Sequence, residues 1–177
     1  MSSARSIRMA PLLLLLLLSA ACDRIFPARA SLDLPDLETV QSFYQRHGFE
    51  AEYRYSGNVL ELVVQQPADQ LRRGGPLWAR VGPFIYLFTP ATRDLIDEYH
   101  GIAGVRVVTM VGDVEVARAL LVRDALNELT WRRAANVHGT ALVQGTERPV
   151  TIDLLARFGE DITTFQYNPD YVPPRER

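Results

Sequence analysis

The chain has 177 residues, of which 23% are charged, and its formal net charge at pH 7 is −2. This ordinary, mildly acidic composition argues against general nucleic-acid binding and against disordered or repetitive architectures. All 19 basic residues are arginine, which excludes Schiff-base chemistry on lysine and a P-loop lysine.

The first 22 residues have the pattern of an export signal. Arg5 and Arg8 precede an apolar segment at residues 9–18, which is too short to span a bilayer comfortably. Small residues follow at positions 19–21, and Cys22 comes directly after them. Because Cys22 is the only cysteine of the chain, it cannot form an internal disulfide bond.

This arrangement resembles the lipobox of bacterial lipoproteins, with Ser19 at a position where leucine is usual. The resemblance implies that the signal peptide, residues 1–21, is cut off after Ala21 and that Cys22 is acylated. The chain would then be anchored in the cell envelope and face the periplasm. Asp23 resembles the signal that retains lipoproteins in the inner membrane of enteric bacteria, which favours the inner over the outer membrane.

Other processing routes remain open. An ordinary signal peptidase could cut after Ala21 or Ala30, or the apolar segment could remain as an uncleaved anchor. In the lipoprotein interpretation, two or more acyl chains hold the protein firmly because each buried methylene contributes about 0.8 kcal/mol.

Removal of residues 1–21 would leave 177 − 21 = 156 residues, enough for one domain. We expect a tether at residues 22–34 and an α+β domain at residues 35–168. A helix is predicted at residues 35–47, followed by strands at residues 49–55 and 59–64. Gly57 and Asn58 between the strands are typical of a tight antiparallel turn.

The middle of the chain predicts a loop, a buried segment, a helix and a strand. Residues 67–76 form the loop, and its Arg72 and Arg73 could contact an anionic lipid headgroup. Residues 84–88 are either a buried strand or the lead-in to a buried helix, because periodicity cannot separate the two. Thr89 and Pro90 start a helix that Gly101 ends, and residues 105–111 form a strand.

The last third of the chain has two successive periodicities. Apolar residues at three- and four-residue spacing predict a third helix, from Asp113 to Leu129. Alternation from Trp131 onwards then favours a meander of three strands that ends at Tyr167, with a helix at residues 149–158 as the alternative. Residues 169–177, which are rich in proline, form an extended tail.

The predicted fold is therefore a single α+β domain with an antiparallel sheet, about three helices and a C-terminal three-stranded meander. A long helix before a curved meander resembles the cystatin-like and NTF2-like architectures. That likeness implies a shape alone, because such folds have many functions.

The pattern of reactive residues predicts neither a catalytic nucleophile nor a metal site. None of the three serines of the mature chain lies in a Gly-x-Ser-x-Gly motif, and His47, His100 and His138 are far apart. Asp97 and His100 share a helix face, which we interpret as a solvated surface. No cofactor is predicted.

Three functional hypotheses follow. The first is a non-enzymatic lipoprotein, attached to the membrane through Cys22, that contacts another envelope protein and binds no nucleic acid. The second is a carrier or sensor with an apolar cavity, which would be lined by Trp131, Phe158, Leu121 and Phe84. The third is an enzyme that uses acid–base chemistry, which requires histidine and carboxylates to converge in a cleft. The sequence does not decide the oligomeric state.

Overall fold

The computed structural model describes residues 32–171, except for the side chains of residues 68–74. The described residues belong to one compact unit, Ser31–Arg177. The predicted signal peptide, the cleavage site at Ala21, the acylation site at Cys22 and most of the tether lie outside the described residues, as does the tail beyond Tyr171.

The described part contains five α-helices and five strands. A single turn of 3-10 helix, Arg123–Ala125, precedes the fourth α-helix. In chain order the elements are α1 (Leu37–Gln45), β1 (Glu52–Ser56), β2 (Val59–Gln65), α2 (Ala68–Leu87), α3 (Pro90–Glu98), β3 (Gly104–Val111), β4 (Val114–Val122), α4 (Glu128–Gln144), α5 (Pro149–Ile162) and β5 (Thr164–Tyr167).

The five strands form one sheet in the order β1-β2-β3-β4-β5. Strands β2 and β3 are parallel, and the other three neighbouring pairs are antiparallel. The parallel pair arises because α2 and α3 carry the chain back across the sheet between β2 and β3. The α+β class is thus confirmed, but the prediction of an antiparallel sheet is wrong for this pair.

The helices and the sheet enclose the core on one face of the sheet. Leu62, Val107 and Ala119 lie side by side on this face, and each is at most 1% exposed. Helix α2 packs on β3 and β4, and α5 packs on α2. Arg80 of α2 donates to both carboxylate oxygens of Glu160 of α5, at 2.5 and 2.8 Å.

Several predicted boundaries in the first half are confirmed. The helix predicted at residues 35–47 corresponds to α1, and the structure shows that Asp36 caps it by accepting a hydrogen bond from the Thr39 amide at 2.7 Å. The hairpin of β1 and β2 turns at Gly57, whose φ is +60°. The side chain of Thr89 caps α3, with Pro90 in the first turn.

The predicted loop at residues 67–76 is wrong, because α2 begins at Ala68 and runs to Leu87. The helix is kinked at Gly75, where φ is +59° and ψ is −150°, and Pro76 then starts the second straight part. Residues 84–87 therefore form the buried end of α2, and Phe88 follows as its C-cap, so the alternative of a buried strand is wrong.

The favoured assignments between residues 113 and 158 are wrong, whereas the alternative of a helix at residues 149–158 agrees with α5. Residues predicted as the third helix form β4, because Gly112, with φ at +58°, turns the chain directly from β3 into an antiparallel partner. The first two strands of the predicted meander are α4 and α5, and the third matches β5. The cystatin-like or NTF2-like resemblance thereby loses the meander on which it was based.

Candidate functional site

A cleft of about 580 Å³ opens where the end of α3 meets the start of α4. From α3 and the turn after it come Arg93, Ile96, Asp97 and His100. The remaining lining residues belong to the 3-10 turn and to the start of α4: Arg123, Asp124, Leu126, Glu128 and Trp131.

Arg123 lines the cleft between α3 and the end of β4. Its Nε donates to the Ile102 carbonyl at 2.7 Å, and its two other nitrogens donate to the carbonyls of Ile96 and Tyr99. The guanidinium thus satisfies carbonyl groups at the C-terminal end of α3, which have no partner within the helix. The pKa of Arg123 lies below its ordinary value because the group is partly buried. The negative charges of Asp124 and Asp97 act in the opposite direction but do not cancel this effect.

The first turn of α4 is fixed by a capping box. The side chain of Asn127 accepts from the Thr130 amide at 3.0 Å, and the Thr130 hydroxyl accepts from the Asn127 amide at 2.8 Å. This cap orients Glu128 at the rim of the cleft and Trp131 in its floor. Trp131 is only 7% exposed.

The charged residues of the cleft are mostly solvated. Asp97 pairs with Arg93 of the same helix at 3.5 Å, and Glu128 pairs with Arg132 at 3.2 Å. The side chains of Asp97 and Glu128 are 63% and 69% exposed, so these pairs add little to stability. Each of these two carboxylates at the rim of the cleft thus has a guanidinium group beside it.

The opposite face of the sheet carries a ladder of charged residues. Glu61 lies between Arg54 of β1 and Arg106 of β3, with N–O distances of 2.6 and 3.1 Å. Burial acts to raise the pKa of Glu61, but the hydrogen bonds and charges of the two arginines together hold this pKa below its ordinary value. Within residues 32–171 the helices pack on the other face, and Arg54 keeps 67% of its side chain exposed.

A smaller apolar groove of about 160 Å³ lies between α4 and α5. Val137, Thr140 and Leu154 line it, and Val143 and Val150 nearby are 83% and 62% exposed.

The structure describes few of the predicted site residues. Ala21 and Cys22 lie outside the described residues. Arg72 and Arg73 lie in the first part of α2 rather than in a loop, and their side chains are not among those described.

The three histidines do not converge. His47 lies in the exposed turn after α1, and His100 lines the cleft. His138 on α4 is partly buried, and this burial lowers its pKa although a hydrogen bond with the Ile85 backbone opposes the shift.

The sequence pattern missed the cleft itself. The predicted helix face with Asp97 and His100 does lie there, but Asp124, Glu128 and Trp131 were assigned to other elements. The Asn127-x-x-Thr130 cap is the local signal that would have placed the start of α4 correctly.

The described part of the chain contains neither a membrane-spanning helix nor a set of side chains that could hold a metal ion. No helix in this part is both long enough and apolar enough to cross a bilayer. No group of three or more histidine, cysteine, aspartate or glutamate side chains among residues 32–171 is placed to hold a metal ion. Comparison of the chain with models of known families, with curated proteins and with solved structures finds no match.

Proposed function

We propose that this chain is a lipoprotein of the bacterial cell envelope and that its α+β domain binds another protein there. The observation that carries the proposal is the position of Cys22, directly after the small residues that follow a short apolar segment. An acylated Cys22 would make the membrane attachment effectively permanent, since several acyl chains would be buried together.

Anchoring favours a binding role. Nine residues lie between Cys22 and Leu32, and the ten residue steps from one to the other span at most about 35 Å when fully extended. The domain would therefore stay close to the bilayer. This confinement raises its effective concentration toward other membrane-bound proteins, so that weak contacts suffice.

Two surfaces of the domain support an interaction module. The cleft at Trp131 combines a nearly buried apolar floor with a charged rim, which is typical of binding sites. The helix-free face of the sheet offers Arg54 and Arg106, held in place by Glu61.

The first test concerns the anchor. We expect mass spectrometry of the mature protein to find a di- or triacylated Cys22 as the first residue, and the protein to enter the detergent phase on phase separation. The Cys22→Ala variant should remain in the aqueous phase. An intact Met1, or a mature chain that starts at Ser31, would show that the proposal is wrong.

The second test concerns the partner. Cross-linking in membranes followed by purification should recover an envelope protein with the anchored chain, and much less of it with Cys22→Ala at equal protein level. Equal recovery from both chains would contradict a role for the anchor in this interaction.

Acid–base catalysis is a second candidate, favoured by one observation. His100 shares the cleft with Asp97, Asp124 and Glu128. The pairing of Asp97 with Arg93 and of Glu128 with Arg132 favours binding instead, because a general base needs its carboxylate free for the substrate. A substrate that the chain turns over and that the His100→Gln variant does not turn over would show that the cleft is catalytic.

The apolar-carrier hypothesis gains no comparable support. Phe84 is fully buried, its ring lies 5.9 Å from that of Phe88 and 5.1 Å from that of Phe165, and Gly159 packs against it. These are the contacts of a filled core. Trp131 lines the open cleft instead.

A further inference from the structure

The outward surface of the helix pair α4 and α5 carries exposed aliphatic side chains. Val143, Val150 and Leu154 keep 83%, 62% and 53% of their surface exposed. They lie beside or within the apolar groove of about 160 Å³ between the two helices, which Val137 and Thr140 also line. Exposed apolar residues that adjoin one another in this way mark surfaces that bind another molecule.

One face of α4 and of the turn after it contains the residues that would meet a second helix. Arg133, Asn136, Thr140, Val143 and Glu147 follow one another at intervals of three or four residues, and all five are exposed. The last of them lies against the end of the helix, because its amide donates to a carbonyl of the final turn at 3.0 Å. This spacing is typical of the contact line between two packed helices.

Two charges at opposite ends of this face form no ion pair within residues 32–171. Arg133 has its guanidinium carbon 5.4 Å from the centre of the Phe158 ring, and no carboxylate pairs with it. Its neighbour Arg132, by contrast, is paired. Glu147 forms no ion pair either, not even with the adjoining Arg148. The face therefore has an unpaired positive charge at one end and an unpaired negative charge at the other.

A twofold axis makes this face complementary to itself. Thr140 lies midway between Arg133 and Glu147, so a second, antiparallel α4 that crosses at Thr140 places each arginine opposite the glutamate of the other copy. The same register places Val143 of each copy opposite Val137 of the other, at the apolar groove. Charge and apolar contacts thus match in a single register.

We propose that two copies of this chain associate through α4 and α5, with the two α4 helices antiparallel and Thr140 at the twofold axis. Val143 of each copy enters the groove beside Val137 of the other, and Arg133 pairs with Glu147 at both ends. This inference goes beyond the proposed function, because it adds self-association on a surface that is separate from the cleft at Trp131.

The dimensions of the helix pair indicate a weak dimer. The helices have 17 and 14 residues. At a rise of 1.5 Å per residue and a width of about 10 Å each, they present a face of about 500 Å² per copy. A total of about 1,000 Å² is at the lower limit for a specific interface, so we expect micromolar affinity in solution. Attachment of both copies to one membrane, as the proposed function has it, would raise their effective concentration.

Disulfide cross-linking of the full chain in membranes tests the register. If Cys22 is acylated, it leaves no free thiol in the chain. Thr140→Cys should form a covalent dimer on mild oxidation, because the two thiols meet at the axis. Asn136→Cys, on the same exposed face, is the matched control. Its two copies would lie about 12 Å apart along the helices, beyond the reach of a disulfide bond, so non-reducing electrophoresis should show at least about fivefold less dimer.

Charge reversal tests the pairing at the ends. In the chain with Thr140→Cys, Arg133→Glu and Glu147→Arg should each lower the yield of covalent dimer at least about threefold, because each brings like charges together. The two changes combined should restore the yield, since the pair forms again in the opposite sense. Glu50→Arg, an exposed position outside α4 and α5, should leave the yield unchanged. Thermal melts verify that these variants fold.

Four outcomes would overturn the inference. These are as much dimer from Asn136→Cys as from Thr140→Cys, an unchanged yield in both charge reversals, no recovery when they are combined, and cross-linking of Thr140→Cys to a different envelope protein in place of its own copy. The last outcome would identify another occupant of this face.

Failure of the anchor gives a different result. A covalent dimer of the unchanged chain would show that the Cys22 thiol is free and that the proposed acylation is wrong. The comparison of Thr140→Cys with Asn136→Cys is then made in the Cys22→Ala chain, where the same excess of dimer supports self-association and equal yields overturn it.

Discussion

At the scale of single residues, Glu61 shows how a carboxylate is kept ionised on a sheet face. Its pKa is lowered in the folded chain, so its contribution to stability is present above the unfolded pKa of about 4.3 and is lost as the pH falls through the folded pKa. We expect Glu61→Gln to lower the free energy of unfolding by about 2 kcal/mol at pH 7. Urea denaturation at pH 7 and pH 3.5 measures this, and the difference between the two chains should shrink at the lower pH.

Asp153→Asn is the control for Glu61→Gln. Asp153 pairs with Arg157 at 2.9 Å, but the two side chains are 42% and 74% exposed, so we expect a change within about 0.5 kcal/mol at pH 7. Equal losses in the two variants would show that burial between Arg54 and Arg106 does not strengthen the Glu61 contacts.

Tyr44 is a buried hydroxyl in a small polar network. Its oxygen lies 3.0 Å from the Thr92 hydroxyl, which in turn donates to the Tyr86 carbonyl at 3.1 Å. Burial raises the pKa of Tyr44 far above its ordinary value, so the stability that depends on its neutral form is present below the unfolded pKa of about 10 and is lost at higher pH. Tyr44→Phe should cost about 1 kcal/mol at pH 8 and less at pH 10.5, as measured by urea denaturation. A constant difference between the two chains at both pH values would contradict this account.

At the scale of elements, the packing of α2 on α5 depends on Gly159. A Cβ atom at this position would lie 2.5 Å from the ring of Phe84, which is fully buried and cannot move aside. Gly159→Ala should therefore destabilise the chain by about 1–3 kcal/mol, although alanine favours a helix by about 1 kcal/mol. Gly139→Ala in α4 is the matched control, since its Cβ would meet nothing within 4 Å.

The two glycines should respond in opposite directions. Gly139→Ala should raise the melting temperature through helix propensity alone, and Gly159→Ala should lower it. Thermal denaturation of the two variants under identical conditions measures both effects. A shift of the melting temperature in the same direction in both variants would mean that the contact with Phe84 does not determine the effect of Gly159→Ala.

The same elements explain how far the sequence could predict the fold. Ala117, Ala119 and Leu121 fit a strand, but Ala117 and Leu121 also fit a helix face, and the helix predicted on that spacing is wrong. Pairing with β3 decides between the two, and this long-range contact is invisible in a window of the sequence. Elements whose end signals were recognised, such as the hairpin that turns at Gly57 and the helix α3 that Thr89 caps, were predicted correctly.

The prediction for α4 was wrong for a different reason. Trp131, Ala135, Val137, Ala141 and Val143 alternate well enough to suggest a strand, but the structure buries Trp131, Ala134 and Ala141, which share a helix face. Because α4 was predicted as a strand, the candidate site at its start was missed as well. The cleft forms only because the turn at Arg123–Ala125 brings the start of α4 to the end of α3, some thirty residues away in the sequence.

At the scale of the whole molecule, the sheet order predicts where the fold is most stable. Strand β3 is paired on both sides, and its Val105, Val107 and Thr109 are fully buried beneath the helices. Strand β5 has four residues and lies at an edge of the sheet. Local opening exposes edge strands at a lower free-energy cost than a central, fully buried strand.

Hydrogen exchange followed by mass spectrometry or NMR tests this distribution of stability. The amides of β3 should exchange only through global unfolding, with the same free energy as that from urea denaturation. The amides of β5 should exchange at least about tenfold faster, through local opening in which β5 separates from β4. Equal protection of both strands would mean that β5 opens only with the whole sheet. The antiparallel pairing of β5 with β4 would then be as strong a part of the fold as the central parallel pair.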